Sequence, residues 1–378
     1  MSQLFSPATL RGLTLRNRTV IAPMCQYSAQ DGFANDWHLV SLGRFAIGGF
    51  GLIIVEATGV TAEGRISYGD LGLWKDEQIA PLARVVDFIH AQGAAAGIQL
   101  AHAGRKASTP IGWNKDLINT PEGRAAVGYS EWTPVAPTAE AHSADPSFTL
   151  PAALDLEGIK GIVDAFVAAT KRSLAADFDT VEIHAAHGYL LNQFLSPLAN
   201  KRIDQYGGSR ENRMRLPLEV VAAVRAAWPE DKPLLVRISV SDNRADGWQV
   251  EDSIAFAKEL KALGVDVVDC STGGFDGGAI NPVANYQVPF AQAVREGADI
   301  PTIAVGLIDD AQAAEKILVD GEADFIALAR GALDDPNWAV HADHILGEAA
   351  YHLWPKQTNR VESLDRSLKR RAYAEANS

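Results

Sequence analysis

Two histidines three positions apart, His184 and His187, end an apolar run and are followed by Tyr189. A neutral imidazole carries one N–H, so two of them can converge on a single acceptor oxygen as paired donors. As a metal site the pair lacks a third ligand at recognisable spacing and the His-Glu-x-x-His pattern, so no metal is expected. The other reading of the pair is two core histidines satisfied internally. A phenol such as that of Tyr189 can act as a general acid where an anion develops within hydrogen-bond reach. Gln99 offers a donor and an acceptor, which suits a planar imide edge. Arg237 is a permanent cation able to stabilise an anionic heterocycle. Gly306, Arg330 and Gly331 end two further apolar runs and suit a phosphate. Glycines also end strands for conformational reasons, and one arginine is common on a barrel rim.

These residues need a scaffold that collects strand ends. Eight apolar runs read as strands: Val20–Ala22, Leu52–Glu56, Gly97–Leu100, Thr180–His184, Leu234–Ser239, Val265–Cys270, Thr302–Val305 and Phe325–Ala329. Each is nearly continuous in aliphatic residues, as parallel strands buried on both faces are. Helical periodicity separates them. It is clearest over Ile79–Ile89 before Gly93, after Asp155 as N-cap, over Glu251–Leu263 before Gly264, and over Asp310–Val319 before Gly321. Strands alternating with helices in this number predict an α/β fold, a (β/α)8 TIM barrel whose functional groups sit at the C-terminal strand ends.

The 378 residues exceed a bare barrel by about 130. Much of the excess follows the third strand, in Ala101–Pro151, which is rich in Pro, Gly, Ser, Ala and Trp. That stretch is expected to be an active-site lid, or otherwise a surface excursion, within a single domain over 1–378; residues 355–378 form a C-terminal extension. The net charge of −13 argues against a nucleic-acid groove, which needs clustered cations. No apolar run reaches the ~18 residues of a membrane span, and no secretory h-region follows the start, so a cytoplasmic location is expected. Two cysteines, Cys25 and Cys270, are too few for a disulfide framework or an iron–sulfur site.

Several motifs in order resemble one family. Leu13–Arg18, Ala22-Pro23-Met24-Cys25-Gln26-Tyr27-Ser28, Ile98–Lys106, Glu182–Leu190 and Asn200–Ser209 resemble the Old Yellow Enzyme family of flavin-dependent ene-reductases, and within it the subclass of YqjM and xenobiotic reductase A. The likeness reaches from the N-terminus to about Trp338. It implies FMN in the barrel mouth. Pro23, Met24, Cys25 and Ala57 would line the isoalloxazine, Gln99 would bond its pyrimidine edge, and Arg237 would sit beside its anionic edge. Gly306, Ala329 and Arg330 would hold the phosphate. Cys25 would tune redox potential rather than act as a nucleophile. His184 and His187 would grip the carbonyl oxygen of an activated alkene, with Tyr27 and Tyr189 beside them and NADPH as the hydride donor.

The resemblance also implies a homodimer or homotetramer in which an arginine near the C-terminus enters a neighbouring subunit's site. Arg360 fits that position, although Thr358 and Asn359 depart from the aromatic or acidic residues expected there. Lys369, Arg370 and Arg371 then make a locally basic tail. Other readings of the chain are an FMN barrel of dihydroorotate or dihydrouridine type, or a flavin redox sensor without turnover.

Overall fold

The computed structural model describes residues 2–114, 121–126, 129–145, 148–278, 280–347, 351–363 and 371. Eight strands close a barrel: β1 (Thr19–Ile21), β2 (Leu52–Gly59), β3 (Ala95–Ala101), β4 (Thr180–Ala185), β5 (Leu234–Ser239), β6 (Val267–Ser271), β7 (Thr302–Ala304) and β8 (Phe325–Leu328). Each pairs in parallel with the next, and β8 pairs with β1, so the sheet has no free edge. All eight expected strands are present. β2 runs to Gly59 instead of ending at Glu56, with a register irregularity between Val55 and Thr58. Such bulges occur at barrel rims, where they re-aim side chains.

The outer layer is α1 (Asp36–Ile47), α2 (Ile79–Ala91), α3 (Leu156–Ala175), α4 (Arg210–Ala227), α5 (Val250–Ala262), α6 (Val288–Ala298), α7 (Ala311–Val319) and α8 (Trp338–Ile345). Asp155 caps α3 by accepting from Gly158 N–H, and Asp310 caps α7 by accepting from Ala313 N–H. No helix among the described residues is long and apolar enough to cross a membrane.

Side chains alternate across each strand, so every second residue faces the barrel interior. The inner floor is an apolar cluster that includes Val20, Leu52, Ala95, Leu235, Val267, Ile303 and Phe325. Ala8 and Leu15 join it from a short antiparallel hairpin, Ala8–Leu10 with Leu13–Leu15, that plugs the N-terminal end. Sequence periodicity did not reveal this hairpin, because three-residue strands carry too little pattern. Above the floor the same alternation points Gln99, Glu182, Arg237 and Asp269 inward. Two residues higher still it points His184 and Ser271 inward. Cys270 takes the opposite phase and is fully buried against the helices.

The described parts of the excursion between β3 and α3 lie across loops at the C-terminal strand ends. Trp132 Nε1 donates to the Glu63 carbonyl at 2.8 Å, in the loop after β2, and Thr138 Oγ1 donates to the Ala199 carbonyl at 2.9 Å, after β4. Two short strands within it, Val135–Ala136 and Ala152–Ala153, pair in parallel.

Candidate active site

β4 delivers the two histidines to the barrel mouth. His184 Nε2 lies 3.4 Å from His187 Nδ1, with ring centroids 5.2 Å apart and planes at 87°. The Tyr189 ring stands 4.9 Å from His184 in an edge arrangement. His187 holds a φ of +59°, a costly conformation for a non-glycine residue that persists only where the surroundings impose it. Its N–H donates to Ser239 Oγ at 2.9 Å, and its carbonyl accepts from Lys106 Nζ at 2.9 Å. The next residue, Gly188, donates its N–H to Asn192 Oδ1 and accepts from Gln193 Nε2, each at 2.7 Å, and meets another backbone. A Cβ on Gly188 would fall 2.1 Å from the Gly274 carbonyl oxygen, and one on Gly274 would fall 2.2 Å from Gly188 N. Only two glycines allow the loops after β4 and β6 to touch there.

Burial holds both imidazoles well below their ordinary pKa, with Arg237 and Lys106 adding repulsion. The pair is therefore neutral at physiological pH, each ring with one hydrogen to give. Lys106 is itself pushed down to about 8 by burial.

The loop after β1 forms the facing wall. Cys25 and Tyr27 both belong to it, and Tyr27 holds a φ of +48°. The buried Glu56 carboxylate accepts the Gln26 N–H at 2.7 Å and lies 3.3 Å from His38 Nε2, which fixes this turn. Burial, with Asp70 and Glu56 nearby, pushes the Cys25 thiol well up. A thiol so protonated is not an activated nucleophile.

A second recess opens between β5 and β8. Arg237, Ser271 and Gln287 line a cavity of about 180 Å³ together with Val305–Asp309 and Ala327–Gly331. It brings the cation expected at an anionic ring edge into one space with Gly306, Ala329 and Arg330, the residues expected at a phosphate. Gly306 has a φ of +121°, and a Cβ there would fall 2.9 Å from Gln287 Nε2. Behind Arg237, Asp269 Oδ2 approaches its Nε at 3.2 Å, and Gln99 Nε2 donates to Glu182 Oε1 at 2.7 Å. Burial pushes both Glu182 and Asp269 up, with repulsion from Asp269 adding to the rise at Glu182 and Arg237 opposing it at both. One guanidinium, two buried acids and an amide fit a flat heterocycle with an imide edge and a phosphate tail, as FMN has. When bound, FMN would be held by Gln99, Arg237 and the Gly306 and Ala329–Arg330 backbone.

Of the remaining expected residues, Ala57 is buried at the rim, and Pro23 and Met24 are half-buried in the loop leaving β1. Arg330 and Arg360 are exposed, the latter in the turn Lys356–Arg360; Lys369 and Arg370 lie outside the described residues. Sequence reasoning passed over Glu182, Asp269, Ser271, Gln287 and Glu56. A carboxylate inside an otherwise apolar buried strand was the available signal, since such a group needs a partner.

Residues 3–348 match the NADH:flavin oxidoreductase / NADH oxidase family. The chain is 46% identical over 346 residues to an NADPH dehydrogenase of Geobacillus thermodenitrificans (strain NG80-2), covering 91% of this chain and 94% of that one. Morphinone reductase superposes with a TM-score of 0.74 at 31% identity, over 92% of this chain and 90% of its own. A 2-naphthoyl-CoA reductase superposes at 0.81 over 93% of this chain and 53% of its own; at 23% identity that likeness is one of fold alone. The barrel and the family match agree: the chain belongs to the NADH:flavin oxidoreductase family and is an FMN-dependent oxidoreductase of the Old Yellow Enzyme type.

Proposed function

We propose that the protein uses NADPH to reduce the activated C=C bond of α,β-unsaturated carbonyl or nitro compounds. The observation that carries this reading is the convergence of His184 Nε2 and His187 Nδ1 at the mouth of the barrel. FMN, when bound, supplies the hydride chemistry between nicotinamide and alkene. The chain's residues supply the rest. His184 and His187 hydrogen-bond the substrate oxygen and stabilise the negative charge that develops on it, a preorganised oxyanion site. Tyr189 provides the proton for the α-carbon, and Tyr27 walls the opposite side with Cys25. Pro23, Met24, Cys25 and Ala57 bound the flavin face; Gln99 and Arg237 bind its pyrimidine edge. Gly306, Ala329 and Arg330 bind its phosphate. The Geobacillus relative is named for NADPH, which supports that donor here.

Two neutral histidine donors at the mouth favour this reading over a dihydroorotate or dihydrouridine type of FMN barrel and over a redox sensor without turnover. The protein acts in the cytoplasm, with the excursion over Ala101–Pro151 serving as the lid. It assembles as a homodimer or homotetramer, Arg360 completing a neighbour's site; its exposure in this chain leaves it available for that contact. The test is spectroscopic. Purified protein should be yellow, bleach anaerobically with NADPH and recover its colour on addition of cyclohexenone. A reduced flavin that cyclohexenone fails to reoxidise would overturn the reading.

A further inference from the structure

Ser271 closes β6 with its hydroxyl 2.7 Å from His187 Nε2 and 3.1 Å from Gln287 Oε1. The Gln287 amide is oriented by its neighbours. Its Nε2 donates to the Val305 carbonyl at 3.3 Å, so Oε1 is the acceptor for the hydroxyls of Ser271 and Thr272, each at 3.1 Å. A serine hydroxyl has one hydrogen. With that hydrogen on Gln287, Ser271 Oγ must accept from His187, so the hydrogen of this neutral ring sits on Nε2. His184 is fixed independently: Ala186 N–H donates to its Nδ1 at 3.1 Å, leaving its hydrogen on Nε2, aimed at His187 Nδ1. Every donor from Ala186 N–H through His184, His187 and Ser271 to Gln287 then has an acceptor. Yet His187 Nδ1, the nitrogen that faces the oxygen site beside His184 Nε2, carries a lone pair.

A carbonyl oxygen can only accept, so it needs hydrogens on both facing nitrogens. We propose that Ser271 is a positioning residue that sets the tautomer of His187: directed at Gln287 it keeps the ring hydrogen on Nε2, and turned to donate to Nε2 it releases that hydrogen to Nδ1 for the substrate oxygen. This rests on the proposed role of the histidine pair as an oxygen site. Protons balance, because the half-exposed imidazole exchanges one N–H for the other through solvent and the hydroxyl only rotates. Gln287 Oε1 keeps its hydrogen bond from Thr272 throughout. Burial, Arg237, His184 and Lys106 all oppose a doubly protonated ring, so rearrangement of one hydrogen is the route left open. Gln287 also lines the cavity that holds Arg237 and Gly306, so the switch borders the cofactor recess as well as the oxygen site.

The test is 15N NMR of oxidised holoenzyme carrying 15N-histidine, with the His187 signals identified by their loss in His187→Gln. Nitrogen shifts separate N–H from lone-pair nitrogens, a readout independent of turnover. Without ligand, Nε2 should be the protonated nitrogen; with cyclohexenone, the two nitrogens should exchange character. In Ser271→Ala the Nε2 hydrogen loses its acceptor, which weakens that tautomer. Without ligand the Nδ1–H fraction should then rise above wild type, held short of full conversion by the His184 hydrogen that still seeks Nδ1, and Ser271→Thr should lower it again. Cyclohexenone that binds without exchange, or a Ser271→Ala tautomer identical to wild type, overturns the switch alone. Failure of cyclohexenone to bind wild-type holoenzyme overturns the oxygen site and the switch together.

Discussion

Replacing His184 and His187 together by alanine is expected to lower kcat/KM for cyclohexenone by about a thousandfold or more, while FMN stays bound. Removal of one preorganised oxyanion donor costs about 10²–10³-fold in other enzymes, and here both would go. The histidines sit one inward position above the residues that face the flavin recess. Neither lines the cavity shared by Arg237, Gly306 and Arg330. Neutrality sharpens the expectation. Because burial and neighbouring cations hold both rings well below their usual pKa, carbonyl binding should show no step as pH falls through the ordinary histidine range. Flavin content, a cyclohexenone binding titration and steady-state kinetics check the claim. A colourless double variant would place the histidines in the cofactor site instead.

Arg237→Leu should act on the fold as well as on the cofactor. Asp269 is fully buried with Arg237 as its ion-pair partner, and the neighbouring Glu182 is fully buried too. Breaking a buried pair from one side typically costs about 3–5 kcal/mol, because the remaining charge loses its compensation. The loss has a defined pH sense. Without the guanidinium both carboxyls rise further in the folded state, while their unfolded values do not change. Stability therefore falls as pH rises above the ordinary carboxylate range, and the deficit against wild type is larger at pH 8 than at pH 5. Urea unfolding at the two pH values measures it. Asp269→Asn added to Arg237→Leu should recover much of the stability but not the flavin. An equal deficit at both pH values would show that packing, not charge, governs the site.

The barrel was legible because its strands are buried on both faces and so read as unbroken aliphatic runs. His184, His187, Gln99 and Arg237 were legible for the related reason that polar residues at the ends of such runs must face the mouth. The limits have equally specific causes. Asp269 lies inside an apolar strand, and only the parallel register that sets it opposite Arg237 explains it. Ser271 and Gln287 are 16 positions apart and meet only through the fold. The extension of β2 past Glu56 depends on a bulge, which has no periodic signature of its own. Gly188 and Gly274 look like ordinary loop glycines until the backbones they bring together are seen.

That last contact governs how this site can change. Two loops from different strands meet backbone to backbone at Gly188 and Gly274, one residue beyond His187. Neither loop can be lengthened, shortened or given a side chain at that point without displacing the other, and with it the oxygen-binding imidazole. Variation in substrate preference is thereby channelled away from the loops after β4 and β6, whether by natural drift or by directed engineering. The tolerant place is the excursion after β3, which borders the same mouth without sharing the glycine seam; the Cys25–Tyr27 turn is itself pressed against a glycine, since a Cβ on Gly69 would fall 2.5 Å from the Tyr27 carbonyl oxygen.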